Sequence, residues 1–355
     1  MFWPFGKFGK EERFLGVDIG TTSIKIAELA KSGRGAKLVN YALLETYSYL
    51  ERVNTALQTS GLKLFEQEAA NHLKLMLSRG GFRARQAVAS LPAFSVFTTV
   101  IEIPVMSDEE LNKTLQFEAR QYIPMPVATV ALDWIRTTDK NILLMAIPNE
   151  QIERYKKIFS GAGLNLAALE IEGMSLARSL SSDTPSSDTP ILIIDIGSRS
   201  TGLFIAENGL LKMVGQTDFS GASITRAVSA GLGVNMRRAE DLKKQRGLID
   251  LGFGPDQELS TLMKPVLDVI INEAKRLAQN FATTYSVAPK SVILAGGGVA
   301  LPGIEDYVGK EMNLTVAKAN PFAKIDPPEK AAALLRPLGP SLAVAVGAGL
   351  RNINI

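Results

Sequence analysis

The chain has 355 residues, 46% hydrophobic and 21% charged, with a net charge of +3, no cysteine and one histidine. That length holds two domains or more, and the lack of cysteine excludes disulfides and thiolate metal sites. His72 alone cannot build a multi-histidine site, and the dispersed basic residues leave no footprint for nucleic acid.

Met1–Lys10 combines four aromatics with two lysines. It reads as an interfacial anchor or, in the reading preferred here, as a mobile tail, since ten residues make a poor helix. Phe14–Ala30 is an apolar run broken by a polar turn, and Ala36–Thr46 continues the sheet after Gly33 and Gly35. Leu62–Leu77 is an amphipathic helix with a glycine stop at Gly80 and Gly81; His72 falls within it as a surface or boundary residue. Gln86–Ser90 and Phe94–Ile103 read as strands. Ser107 and Glu110 form a capping box that opens a helix, which Pro124 and Pro126 stop. Strands at 131–137 and 141–147 and a helix at 150–162 complete a compact unit at 86–163, which interrupts the larger pattern like an insertion.

Leu166–Ile171 is a strand leading into a helix at Glu172. Ser-Ser-Asp-Thr-Pro then occurs twice in succession over 181–190, a composition that builds no core. A second hairpin covers 191–207, followed by a strand at 210–214. Helices follow at 222–230, 237–245 and 259–285, the last interrupted by Pro265. Ser291–Ala295 is a strand emptying into Gly296-Gly297-Gly298. The region 321–340 is loop-rich, and Leu342–Leu350 is a closing helix or buried segment. The longest apolar runs are about ten residues, short of the ~20 that span a bilayer. With no signal-peptide pattern, the expectation is a cytoplasmic protein.

The two hairpins carry the chemistry. Asp18-Ile-Gly-Thr-Thr-Ser and Asp195-Ile-Gly-Ser-Arg-Ser repeat one design, and both returning strands close on Ile-Ala-Glu. A carboxylate at a strand mouth can hold Mg²⁺ through water, which makes Asp18 and Asp195 the metal candidates. Gly20 and Gly197 let the backbone approach a phosphate. Thr21, Thr22, Ser23, Ser198 and Ser200 add hydroxyl donors, and Lys25 lies on the returning strand as a fixed positive charge. One copy alone would pass for an ordinary polar turn; two copies point to half-sites facing across a cleft. The glycine run Gly296, Gly297, Gly298 with Val299 offers a flat shelf for a base and ribose. Glu240 and Lys243 share a helix face and read as ribose ligands or as a plain surface ion pair.

Together these pieces resemble the actin/Hsp70/sugar-kinase ATPase superfamily: two phosphate loops, then the adenosine motif Ala295-Gly-Gly-Gly-Val-Ala-Leu-Pro-Gly303, in order. The insertion lies where the division protein FtsA carries its subdomain 1C. The wording Ser90-Leu-Pro, Ile101-Glu-Ile-Pro104, Phe117-Glu-Ala-Arg-Gln-Tyr-Ile-Pro124 and Leu169-Glu-Ile-Glu172 looks like the PilM family of type IV pilus assembly proteins. The resemblance implies an α/β actin-like ATPase fold of two lobes with duplicated mixed sheets. Subdomain 1A would cover 1–85, 164–190 and 330–355, 1C 86–163, 2A 191–225 and 290–329, and 2B 226–289. It implies ATP and Mg²⁺ in the cleft, with phosphates met by Thr21, Thr22, Ser23 and Lys25 on one wall and Gly197, Ser198 and Arg199 on the other. Glu240 and Lys243 would hold the ribose, and Gly296 to Val299 would line the adenine. Glu172 would stand near the attacking water, in a loose match because Gly173 replaces the usual proline. The resemblance also implies a partner, the N-terminal cytoplasmic tail of the membrane protein PilN, bound beside 1C. Other pilus components of the inner membrane, the assembly motor and self-association are further expectations.

Two other readings compete with a scaffold of slow or negligible hydrolysis. A kinase of this fold needs an aspartate base and a large substrate-binding insertion, and neither is apparent. A filament former like FtsA ends in an amphipathic membrane helix, and Arg351–Ile355 is too short and polar for one.

Overall fold

The computed structural model describes residues 12–33, 35–45, 61–181, 189–249, 255–326 and 332–353. The aromatic N-terminal stretch, most of the repeated Ser-Ser-Asp-Thr-Pro segment, and Asn354 and Ile355 lie outside these residues.

The first lobe is built on β1 (Arg13–Ile19), β2 (Ser23–Ser32) and β3 (Gly35–Glu45), an antiparallel meander. Helix α1 (Gly61–Gly80) leads to β4 (Gln86–Leu91), which lies parallel to β1. The inserted unit follows as β5 (Phe97–Glu102), α2 (Asp108–Glu118), β6 (Val130–Arg136) and β7 (Asn141–Pro148). Then come α3 (Asn149–Gly161), β8 (Asn165–Ile171) and α4 (Glu172–Leu180). The second lobe begins with another antiparallel meander, β9 (Ile191–Ile196), β10 (Thr201–Glu207) and β11 (Leu210–Thr217). Helices α5 (Gly221–Leu232), α6 (Met236–Arg246) and α7 (Pro255–Tyr285) precede β12 (Ser291–Ala295), α8 (Ile304–Met312) and β13 (Thr315–Lys318). The chain returns through β14 (Ile325–Asp326) and α9 (Ala332–Leu335) to α10 (Gly339–Leu350).

The two large sheets share one topology. The first runs β14-β3-β2-β1-β4-β8 and the second β11-β10-β9-β12-β13. Each is a three-strand meander extended by two parallel strands, with the first adding β14 at its edge. The parallel strands are apolar runs, because helices cover both of their faces. Helices α4 and α10 contact both sheets, so residues of the second sheet such as Phe204 and Ala295 join the core of the first. Ala333–Leu350 is apolar enough by length and composition to cross a membrane, longer than any apolar run read from the sequence, yet 67% of it is buried inside the molecule.

Sheet membership corrects the expected boundaries of the insertion. Strand β4 pairs with β1 and β8 in the large sheet, not with the inserted strands. Helix α3 contributes Tyr155, Ile158 and Phe159 to the first lobe's core. The separate three-stranded sheet, ordered β5-β7-β6, therefore occupies 97–148 rather than 86–163. In β7, Ile142, Leu144 and Ala146 face the insertion's own core while Leu143 and Met145 face the first lobe's. That alternation is the period-2 signature of a sheet packed on both sides. The expected end of 2A at 329 also moves, because β14 pairs with β3 of the first sheet. The capping box forms as read: Ser107 accepts from the Glu110 backbone N–H, and the Glu110 carboxylate accepts from the Ser107 N–H at 2.8 Å.

Candidate functional site

Both hairpins end in the same turn. The N–H of Gly20 donates to the Ser23 carbonyl at 2.9 Å, and the N–H of Gly197 donates to the Ser200 carbonyl at 3.0 Å. A side chain at either glycine would press on that same carbonyl, 3.2 Å and 2.8 Å from its Cβ. The turns sit at the carboxyl ends of β1 and β9, where ligands bind in open α/β sheets. Thr21, Thr22, Ser23, Gly197 and Ser198 are all half-buried at these turns.

The turns share one electrostatic site. Asp18 lies opposite Lys25 in the register of β1 and β2, and the Lys25 ammonium meets the Asp18 carboxylate at 2.8 Å. Ser90, at the end of β4, donates to the other Asp18 oxygen at 3.3 Å. Burial opposes the Lys25 charge, but Asp18 first and then Asp195 and Glu172 outweigh it, so its pKa lies above the ordinary lysine value. Burial, reinforced by Asp18 and only partly offset by Lys25, pushes the Asp195 carboxyl up to about 7. Glu172, at the start of α4, is raised well above the usual range by burial, then by Asp195 and Asp18. Its carboxylate accepts from the Ala93 backbone N–H at 3.0 Å. Tyr155 is pushed upward by burial and by the same two carboxylates, Asp18 and Glu172. Three carboxyl groups thus face one lysine, and the raised pKa values of Asp195 and Glu172 record that shortage of positive charge.

The third motif lies against the second turn. Gly296 has φ +85°, and a Cβ there would fall 2.3 Å from an Asp195 carboxylate oxygen and 2.5 Å from the Ile196 carbonyl. Only glycine fits both the conformation and the approach. Its N–H donates to the Pro340 carbonyl at 2.9 Å, tying the shelf to α10. Gly297 faces open space save for Ser341, and Gly298 lies against Ile196. Val299 is 1% exposed within the second lobe's core, so only its backbone can meet a ligand.

Glu240 and Lys243 come together near this shelf, though not as a surface pair. Lys243 is buried and gives its protons to Glu240 at 2.6 Å, Thr225 at 2.9 Å and the Gly221 carbonyl at 3.0 Å. Desolvation lowers its pKa, with Glu240 working against that. Glu240 also accepts from Thr225 at 2.5 Å and stays below the usual carboxylate range; burial raises it, but Lys243 and Thr225 prevail. With its three donors taken, Lys243 is a post supporting α5 rather than a free ribose donor. Arg199 lies at the second turn. It is exposed, with its guanidinium 5.0 Å above the Phe94 ring, which holds it towards the start of the insertion.

Sequence reasoning passed over Tyr155, the contact of Ser90 with Asp18, and the Ala93 amide. Ser90 had a signal, a polar residue within an apolar run two positions before a proline. Nothing local marks Tyr155, whose approach to Asp18 depends on α3 packing on the first lobe.

Comparison with known proteins settles the class. The family model described as type IV pilus assembly protein PilM matches residues 16–353. The chain belongs to the PilM family. Among solved structures, a PilM-PilN type IV pilus biogenesis complex is similar at a TM-score of 0.81 and 24% identity, covering 97% of this chain and 99% of that one. The ethanolamine utilization protein EutJ from Carboxydothermus hydrogenoformans follows at 0.56 and 17%, covering 96% and 89%. MreB5 of Spiroplasma citri, bound to ADP, is similar at 0.55 and 14%, covering 96% of each chain. The fold is therefore that of the actin-like ATPases, and this PilM-family chain carries the two facing turns of a nucleotide-binding fold.

Proposed function

We propose that this chain is an ATP-binding scaffold of type IV pilus assembly that hydrolyses its nucleotide slowly or not at all. The observation that carries the reading is the excess of carboxyl groups over cation between two turns of one design. Among the described residues Asp18, Asp195 and Glu172 face Lys25 as their one cation, a balance that favours a magnesium-loaded polyphosphate over a bare anion. When bound, the metal would offset that negative charge. Asp18 and Asp195 would hold it through water, because among the described residues no three acidic or histidine side chains group as direct ligands. The hydroxyls of Thr21, Thr22, Ser23 and Ser198, and the Lys25 ammonium, would meet phosphate oxygens. The shelf at Gly296–Gly298 would take the base through its backbone, and Glu240 rather than Lys243 would accept from a ribose hydroxyl.

Glu172 is the residue placed to act on an attacking water. Burial, then Asp195 and Asp18, raise its pKa well above the usual carboxylate range, which favours the protonated form, and a neutral carboxyl is a poor base. That supports binding rather than turnover as the main activity.

The similarity to a PilM-PilN complex supports PilN as the partner class; in this reading its N-terminal tail would bind as an extended peptide in a groove beside the inserted sheet near Phe94–Ile103. The chain would work at the cytoplasmic face of the inner membrane, held there by that partner. The test is titration calorimetry with MgATP and with the PilN tail peptide. Asp195→Ala should abolish ATP binding, and unchanged affinity would remove the site assignment. Altering the groove beside β5 should block the peptide and spare the nucleotide, and equal peptide binding would place the groove elsewhere.

A further inference from the structure

A cluster outside the cleft joins the inserted sheet to the second lobe. Thr137, just past β6, is 4% exposed. Its carbonyl accepts from the Lys212 ammonium on β11 at 2.7 Å. Its hydroxyl lies 2.8 Å from the hydroxyl of Tyr285, the last residue of α7. The protons run one way: Tyr285 donates to Thr137, and Thr137 donates to the Asn141 carbonyl at 3.1 Å. Glu207 holds Lys212 from the other side at 3.3 Å. A second contact lies nearer the cleft, where Arg199 of the second turn stacks on Phe94, and Val100 of β5 packs against the cores of both lobes.

The insertion belongs covalently to the first lobe, entering from β4 and leaving into α3. Its bonds to Lys212 and Tyr285 therefore add a tie between the lobes at the insertion, beside the two chain crossings at 181–190 and 319–325 and the core that α4 and α10 share with both sheets. Lys212 and Tyr285 touch neither hairpin turn, but β11 pairs with β10, which pairs with β9. Where the inserted sheet sits on β11 thus bears on where the second turn stands relative to the first.

We propose that Tyr285 and Lys212 are positioning residues: by holding Thr137 they fix the gap between the two phosphate turns and slow the release of bound nucleotide. The release component rests on the nucleotide reading above; the tie does not. Because the chain lacks cysteine, a nitroxide pair can be placed at Lys113→Cys on α2 and Gln245→Cys on α6, both exposed, without background labelling. In the ligand-free protein the parent should give one narrow distance, and Tyr285→Phe a broader one. Nucleotide release should quicken about fivefold for the lost hydrogen bond, with the thermal midpoint little changed. Lys212→Met should act likewise, and Lys212→Arg, which still donates to a carbonyl, should restore both readouts.

An unchanged distance distribution in both Tyr285→Phe and Lys212→Met overturns the proposal. So does a broadened distribution with unchanged release, which would make the tie merely structural. Should the parent bind no nucleotide, the nucleotide reading falls, and the distances alone uphold or overturn the tie.

Discussion

The two hairpins repeat each other down to one hydrogen bond, and they differ in what stands opposite the aspartate. In the first, Asp18 faces Lys25 across the strands and is ion-paired to it. In the second, Asp195 faces Gly202, where a Cβ would lie 2.5 Å from the Phe204 ring and 3.0 Å from the Glu172 carboxylate. The second hairpin gives up a cation so that Phe204 and Glu172 can close over it. One aspartate is neutralised within its own hairpin, and the other is left in a field of carboxylates. The lesson is that a duplicated backbone does not duplicate electrostatics: a single cross-strand position decides whether a turn carries its own counter-charge or needs one from a ligand.

The harshest way to break the comparison is at the glycine that touches only one hairpin. Gly296→Ala adds a methyl where φ is +85° and Asp195 is 2.3 Å away. It should lower unfolding free energy by about 3 kcal/mol and abolish nucleotide binding, as urea titration and calorimetry would show. Lys25→Met removes the first hairpin's internal counter-charge. MgATP affinity should fall at least about tenfold, the scale of one charge-assisted hydrogen bond. A fall under twofold would mean the lysine serves Asp18 alone.

A pH series sharpens the contrast at the second hairpin. The Asp195 carboxyl rises from 3.8 unfolded to about 7 folded, so the folded state holds a proton that the unfolded chain has lost. Stability from this group is complete below the unfolded value and is lost as pH rises through 7. Thermal midpoints of the ligand-free protein should therefore decline between about pH 4 and 7. Asp195→Asn should flatten that decline, and an unaltered slope would assign it to another group such as Glu172. The smallest effect is expected at Arg199. Stacked on Phe94 and exposed, it is worth about 0.5–1 kcal/mol, so Arg199→Ala should change ATP affinity less than about fivefold. A tenfold loss would return the guanidinium to the phosphates.

The parts legible in the sequence were those that local chemistry dictates. Asp-Ile-Gly with hydroxyls announces a strand and its turn whatever surrounds it, and Ser107 with Glu110 announces a helix start. Sheet partners are not local. Nothing in Gln86–Leu91 tells whether it joins β1 or β5, so the insertion was drawn too wide. The burial of Lys243 is likewise a tertiary fact, since an i,i+3 pair looks the same on an open face and beneath α5. Glu172 could be placed at a helix start, but its approach to Gly202 required both sheets to be in position.

Helices α4 and α10 lie between the two sheets and contribute to a core that both lobes share. If the lobes swing, they must slide over these helices rather than part from them. Such sliding uncovers little apolar surface, so the movement itself should add little to the heat-capacity change of nucleotide binding. The enthalpy of that movement would then vary little with temperature.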